Sequence, residues 1–150
     1  MEPWIISRNT AGVLDFMTAA FGAREGFRIP MEDGSIGHAE VRIGDSNVLA
    51  FDSRPGWPET PAFRRLYVDD GDATFAAAVA AGATPVTDMT EMFWGERAGR
   101  VRDPFGNLWW IHCRVVELTE DQAYERAIQP EFVRAMGYVT SAEIVAPAQS

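Results

Sequence analysis

The order of predicted strands and helices in the first half of the chain repeats in the second half. Gly22-Ala23 recurs as Gly82-Ala83, and Val41-Arg42 recurs as Val101-Arg102, an offset of about 60 residues. Each half predicts a strand, a helix and three more strands, because the apolar period changes from alternation to a helical spacing and back. The sequence therefore predicts two related βαβββ modules.

These modules predict an α+β chain with a C-terminal helical extension. The extension begins at a capping box, because Thr119 is followed three residues later by Gln122. Pro130 is expected to kink or divide the helix, and 147–150 to fray. The predicted segments are the first module at 1–53, a linker with three prolines at 54–62, the second module at 63–116 and the extension at 117–150.

Asp103-Pro104-Phe105-Gly106-Asn107 predicts a tight turn near the end of the second module, because proline presets φ and glycine or asparagine accepts a positive φ. The apolar, aromatic and β-branched run at 108–116 predicts a strand after it. Before the turn we predict a loop at 89–99 and a short strand at 100–102. Three arginines in this region are expected at the surface or in ion pairs: Arg97, Arg100 and Arg102.

Composition limits the classes of partner and of site. The formal net charge of -9 disfavours nucleic acid and anionic membranes as partners. Cys113 is the only cysteine, which excludes an intrachain disulfide and a cysteine-based metal cluster. We see no signal peptide and no apolar run near the about 20 residues that span a bilayer, so we expect a cytoplasmic protein.

The two modules and the turn resemble the vicinal oxygen chelate superfamily, which includes glyoxalase I, bleomycin-resistance proteins and extradiol dioxygenases. The closer resemblance is to its PhnB-like branch. It is carried by 38–46 in the first module and by 93–97 leading into the turn at 103–106. The resemblance covers residues 3–116. It implies two curled sheets, or half-barrels, around one cavity, and it implies a homodimer.

The resemblance also implies where a metal would bind. Superfamily members that use a metal take His or Glu ligands from the first and last strands of each module. The corresponding positions here are Glu2 or Pro3, Ala50, Ala62 or Phe63, and Trp110. Only Glu2 among them carries a ligand atom, so we expect no metal and no other cofactor. A site of two histidines and a carboxylate stays open as an alternative, built from His38, His112 and either Glu40 or Asp52.

Strand alternation predicts which side chains face the cavity, since residues two apart share one face. If Trp110 faces inward, its neighbour Trp109 is a core residue. Aromatic walls with few polar groups suit a flat, partly apolar small molecule. The predicted ligand-binding residues are Trp4, Ile6, Ala50, Asp52, Trp57, Phe63, Arg65, Tyr67, Phe93, Trp94, Leu108, Trp110 and His112.

Three functional hypotheses remain open. The first is a metal-free protein that binds a planar aromatic molecule, with a bleomycin-resistance-like role in sequestering an antibiotic or metabolite. The second is an isomerase or lyase that uses a non-standard metal site or acid/base residues. The third is a domain without a ligand that acts through a dimer interface. The acid/base candidates are His112, Asp52, Glu40, His38 and Tyr67.

Overall fold

A computed structural model describes residues 1–145 of the 150-residue chain. The predicted α+β order of two βαβββ units and a C-terminal helical segment is confirmed. The expected fraying of 147–150 lies outside the described residues. The elements are β1 Trp4–Ser7, α1 Thr10–Phe21, β2 Arg24–Pro30, β3 Ile36–Ile43, β4 Ser46–Asp52, β5 Phe63–Tyr67, α2 Gly71–Ala80, β6 Thr84–Glu91, β7 Glu96–Arg102, β8 Leu108–Arg114, α3 Glu120–Ala127 and α4 Pro130–Thr140.

The strands form two four-stranded sheets with the same topology. The first has the order β1-β4-β3-β2 and the second the order β5-β8-β7-β6. The first strand of each unit lies parallel to its last strand, and the other neighbours are antiparallel. At the edges of the two sheets, the guanidinium of Arg64 on β5 donates a hydrogen bond to the carbonyl of Trp4 on β1.

Helices α1 and α2 pack against one face of each sheet and against each other, and one hydrophobic core unites both units. Ile5 and Trp109 are buried in this core. The carboxylate of Asp103 accepts hydrogen bonds from the Trp109 indole (3.0 Å) and from the Asn107 side chain (2.9 Å). The 103–107 turn therefore holds the Trp109 ring in place. Trp109 is a core residue, as predicted. We call the sheet face turned away from α1 and α2 the distal face.

Capping residues set the start and end of α1. The Asn9 side chain accepts a hydrogen bond from the Gly12 amide, and Gly22 ends the helix at φ 64°. Asp52, at the end of β4, accepts one hydrogen bond from the amide of Thr10 and one from the amide of Ile36, both at 2.7 Å. This carboxylate therefore joins the first turn of α1 to the first sheet, where the helix dipole favours a negative charge.

The predicted loop at 89–99 is wrong in part. β6 continues to Glu91 and β7 begins at Glu96, so only a four-residue turn separates the two strands. Gly95 takes a positive φ of 88°, and the amide of Met92 donates to the carbonyl of Glu96 at 2.8 Å. The sequence around the turn mixes polar, aromatic and small residues without clear alternation. The end of β6 and the start of β7 therefore could not be predicted from the pattern.

The predicted orientation of β4 is also wrong. Ala50 is fully buried with Val48 in the core beneath α1, whereas Phe51 lies on the distal face and contacts Trp4. Ala50 and Asp52 do share a face, as alternation requires, but it is the helix side of the sheet. The small alanine side chain leaves room for the helix that packs there.

The C-terminal extension covers part of the chain's own second sheet. Thr119 and Gln122 form the predicted capping box at the start of α3, and Pro130 begins the separate helix α4. Val139 of α4 packs with Met92 and Ala98 on the distal side of the second sheet. No helix within residues 1–145 is both long and apolar enough to cross a membrane.

Candidate functional site

Six predicted ligand-binding residues share the distal face where β5 and β8 meet. The parallel register pairs Phe63 with Leu108, Arg65 with Trp110 and Tyr67 with His112. Residues paired in this way point to the same side of a sheet, while the alternate residues Trp109 and Ile111 enter the core. These six residues therefore lie on one face of the second sheet, and their role in ligand binding stays a prediction.

Glu96 and His112 form a buried pair at the centre of this face. The Nδ1 atom of His112 lies 2.8 Å from the Oε2 atom of Glu96, and the two side chains are 0% and 5% exposed. The Trp94 indole also donates to Glu96 at 2.9 Å. The guanidinium of Arg65 lies 3.3 Å from Oε2 and that of Arg114 lies 3.2 Å from Oε1. Four donors thus converge on one carboxylate.

The surroundings of this pair favour a charged Glu96 and a neutral His112. Burial raises the pKa of Glu96, but the hydrogen bonds from His112 and Trp94 and the charge of Arg65 leave that pKa below its ordinary value. Burial lowers the pKa of His112, and the hydrogen bond to Glu96 offsets this only in part. At neutral pH the imidazole therefore donates its Nδ1 proton to Glu96 and keeps Nε2 free to accept one.

Two buried polar atoms on this face have no hydrogen-bond partner among the described residues. They are Nε2 of His112, an acceptor, and Nε1 of Trp110, a donor. The two rings are adjacent, with centroids 4.8 Å apart. Because buried polar atoms are nearly always paired, such atoms point to a water or ligand group that completes the site.

Two arginines flank the Trp110 ring. The guanidinium of Arg100 lies 4.2 Å from its centroid, and that of Arg65 lies 5.7 Å away. Arg65 also lies 4.8 Å from the centre of the Tyr67 ring. Arg100 is only 8% exposed, which contradicts its predicted surface position, whereas Arg97 forms the expected ion pair, with Asp72 at 2.8 Å.

Helix α4 covers the part of the site nearest β7. Trp94 and Trp110 pack against the cluster of Met92, Ala98 and Val139. The guanidinium of Arg100 donates to the carbonyl of Val139 at 2.7 Å. The site consequently has an exposed side around Phe63 and Tyr67 and a covered side beneath α4.

A second aromatic cluster lies on the distal face of the first sheet. Trp4 makes edge contacts with His38 and with Phe51, at centroid separations of 5.5 and 5.4 Å. Phe51 in turn contacts Trp57 of the linker at 6.3 Å. Trp4, Phe51, Trp57 and Asp52 contribute to the walls of an open groove of about 840 Å³.

The remaining predicted site residues lie in the core, in another groove or at the margins of these two clusters. Ile6 lines a smaller groove of about 270 Å³ between the linker and the 103–107 turn. Ala50 lies in the core, and both carboxylate oxygens of Asp52 accept backbone hydrogen bonds. Phe93 contacts the edge of Trp94 at 4.9 Å. Within residues 1–145 the aromatic contacts of each cluster stay within their own half of the chain.

The side chains at the implied metal positions do not fit a metal centre. Phe63 and Trp110 carry no ligand oxygen or imidazole, Ala50 is in the core, and Glu2 is exposed and bonded to Asn47. Within residues 1–145 no group of three or more His, Cys, Asp or Glu side chains is arranged to hold an ion. The alternative site also fails to assemble, since His38 pairs with Glu40 and His112 with Glu96.

Five residues of the two clusters were absent from the predicted ligand-binding set: His38, Phe51, Glu96, Arg100 and Arg114. The alternation of Glu96, Ala98 and Arg100 along one strand face was the available signal, but the predicted loop concealed it. Phe51 was missed because β4 was assigned the wrong face. A register taken from Phe51 and Trp110 as equivalent positions corrects that error.

Comparison with known proteins identifies the family. The family model described as the Glyoxalase/Bleomycin resistance protein/Dioxygenase superfamily matches residues 5–111. An uncharacterised protein of Mycobacterium bovis is 35% identical over 133 residues, covering 81% of this chain and 88% of the relative. A Mycobacterium tuberculosis relative is also 35% identical over 133 residues, with 81% and 78% covered. The PhnB-like branch stays a prediction.

Solved structures show the same fold. TioX from Micromonospora sp. ML1 is 27% identical, with a TM-score of 0.66, and the match covers 77% of this chain and 98% of that chain. The fosfomycin resistance protein FosX from Listeria monocytogenes, complexed with Mn(II) and 1S,2S-dihydroxypropylphosphonic acid, is 15% identical, with a TM-score of 0.60 and coverage of 83% and 94%. The chain belongs to the Glyoxalase/Bleomycin resistance protein/Dioxygenase superfamily.

Proposed function

We propose that this chain binds a small, planar, aromatic molecule on its distal faces, without a metal. The observation that carries the proposal is the exposure of aromatic side chains beside a polar centre. Trp4 is 45% exposed, Phe63 50% and Tyr67 58%. Exposed apolar patches of this kind mark binding surfaces, and the few polar groups next to them would orient a ligand.

The polar centre supports sequestration over turnover. Glu96 already accepts hydrogen bonds from His112, Trp94, Arg65 and Arg114, so its charge is engaged within the protein. Holding an antibiotic or metabolite requires shape, stacking and a few directional bonds, and it requires no free acid. A sequestering role of the bleomycin-resistance type is therefore the leading proposal.

We also propose that the binding unit is a homodimer. Phe27 and Ile29 on the edge strand β2 are 53% and 43% exposed, and every residue of that strand is exposed. A second copy that placed its first sheet over the second sheet of its partner would cover these side chains. This arrangement would also bring the aromatic cluster around Trp4 of one copy and the site around Tyr67 of the other copy into one cavity.

A titration of tryptophan fluorescence tests the binding proposal. A panel of planar aromatic compounds should include members that quench the fluorescence saturably, and Tyr67→Ala should weaken their binding. Sedimentation velocity over a range of protein concentrations reports the dimer separately. Absence of saturable quenching across the panel would contradict ligand binding, and a monomer at all concentrations would contradict the dimer.

A second candidate function, a metal-free isomerase or lyase, rests on the His112 imidazole. Its Nδ1 proton is held by Glu96 while Nε2 is unpartnered among the described residues, which is the arrangement of an oriented general base. Turnover of a bound compound that is lost in His112→Asn, with binding retained, would favour this function. Unchanged turnover in that variant would remove it.

A further inference from the structure

Arg100 is a buried cation without a carboxylate partner among residues 1–145. Its side chain makes one hydrogen bond there, from Nη1 to the carbonyl of Val139, and no ion pair. A guanidinium has five N–H donors, and a buried charge that lacks a counter-ion is costly. The position therefore suits an anionic group better than it suits the neutral carbonyl that now occupies it.

The flat face of Trp110 lies directly beside this cation. The ring stacks against the Arg100 guanidinium, and the indole Nε1 has no partner among the described residues. The Tyr67 ring and the second guanidinium, that of Arg65, continue the same face towards solvent. An aromatic ring over Tyr67 and Trp110 would thus bring a substituent close to the Arg100 guanidinium, while the Arg65 guanidinium is paired with Glu96.

The last turn of α4 occupies the anion position, where Val139 packs with Met92 and Ala98. Val139 belongs to the last turn of α4, where the backbone carbonyls have no amide donor within the helix. The Arg100 guanidinium supplies the missing donor for the Val139 carbonyl. Gly137 lies inside the helix at an ordinary φ with open space around it, so it lowers helix stability without a packing reason. Tyr138 holds the helix to β6 by accepting a hydrogen bond from the Asp88 amide at 2.9 Å.

Resting on the proposed function, we propose that the Arg100–Trp110 face is a site for an aromatic anion, such as an aryl carboxylate or sulfonate. The last turn of α4 occupies the anion position until such a ligand displaces it. The ligand replaces the Val139 carbonyl as the acceptor for Arg100, and α4 moves off the distal face. Ligand binding and the release of α4 from the sheet are consequently coupled, so a change that stabilises α4 weakens ligand binding.

The test compares two probes that differ in charge, naphthalene-2-sulfonate and naphthalene-2-sulfonamide, by calorimetric titration of the full chain. The sulfonate should bind more tightly to the wild type. Arg100→Gln should reduce the ratio of the two affinities by about 10- to 100-fold, since it removes a charged hydrogen bond. Arg42→Gln removes one positive charge from the first sheet and should leave the ratio unchanged.

Two variants outside the ligand-contacting residues test the coupling to α4. Gly137→Ala strengthens the helix and should weaken sulfonate binding by about two- to fivefold. Tyr138→Phe removes the acceptor for the Asp88 amide and should tighten it by about two- to tenfold. Hydrogen exchange of residues 130–140 should quicken when the sulfonate binds to the wild type.

The outcomes separate this inference from the proposed function. Equal binding of both probes to the wild type, or an unchanged ratio in Arg100→Gln, would overturn the anion site while leaving aromatic binding intact. Unchanged affinity in both α4 variants together with unchanged exchange would overturn displacement of the helix. Failure of both probes to bind would count against the proposed function as well as the anion site.

Discussion

Glu96 on β7 and His112 on β8 hold each other in a buried pair, with 2.8 Å between Oε2 and Nδ1. The two strands are neighbours in the second sheet, and both side chains lie on its distal face. The pair orients the imidazole and gives the charged carboxylate one of its four donors; the others come from β5, β8 and the β6–β7 turn. The chemistry of the candidate site depends on this relationship.

Replacing Glu96 should destabilise the fold. Glu96→Gln keeps the shape of the side chain but directs amide hydrogens at groups that are themselves donors. Losing hydrogen bonds to a buried charge should lower the free energy of unfolding by about 1.5–3 kcal/mol. Urea denaturation measures the change. Glu40→Gln, at a half-exposed pair with His38, is the control and should change stability by about 0.5 kcal/mol or less; equal losses would contradict the account.

Stability should fall as the pH drops below the ordinary histidine pKa. Burial holds the pKa of His112 in the folded chain below 6.5. Between pH 6.5 and that lower pKa, the unfolded chain binds a proton at this histidine and the folded chain does not, so protonation favours unfolding. The titratable and charged groups near it are Glu96, Arg65, Arg100 and Tyr67. The contribution should approach about 1.4 kcal/mol per pH unit below 6.5.

Denaturation of His112→Asn across the same pH range isolates this contribution. The asparagine amide can still donate to Glu96 but does not titrate, so the variant should lose the slope just below pH 6.5. His38→Asn, which removes the only other histidine, should retain that slope. An unchanged slope in His112→Asn would show that another group is responsible.

Asp52 should contribute to the stability of the fold but not to ligand affinity. Asp52→Asn replaces one acceptor by a donor that faces the amide of Thr10 or Ile36, so unfolding should become easier by about 1.5–3 kcal/mol. Chemical denaturation measures this loss. Calorimetric titration of the folded variant should give the wild-type affinity for an aromatic probe, and a weakened affinity without loss of stability would return Asp52 to the ligand site.

The exposed edge strand offers a test of the dimer. Phe27→Asp introduces a charge at a side chain that is 53% exposed in the single chain, so the fold should survive while the dimer dissociates. Sedimentation velocity should show a shift to monomer, with an unchanged circular dichroism spectrum. Val79→Asp, at a 38% exposed position on α2, serves as the surface control and should remain dimeric.

Much of the fold follows from the sequence because its signals are local. The repeat, the helix ends at Asn9 and Gly22 and the 103–107 turn each rest on backbone chemistry within a few residues. The orientation of β4 did not follow, because Ala50 fits either face of a strand by size and only the packing of α1 selects one. The burial of Arg100 did not follow because it depends on α4, nearly 40 residues later.

The candidate site was predictable on β5 and β8 but not on β7. Alternation from Trp110 placed Arg65, Tyr67 and His112 together, since each strand is regular. Glu96 was not predicted as a site residue because it is the first residue of β7, directly after the turn at Gly95. Because Trp109 lies in the core and Trp110 on the distal face, these adjacent tryptophans report separately on the two sides of the sheet.

The most direct test of aromatic binding at the distal face uses the indole N–H signals of the five tryptophans in ¹⁵N-labelled protein. Each signal is assigned by a Trp→Phe variant, and naphthalene-2-sulfonate is then titrated. We predict that the Trp110 signal shifts with saturation while the Trp109 signal, from the buried residue beside it, stays unchanged. A shift at Trp109 without one at Trp110, or no saturable shift at any tryptophan, would contradict the account.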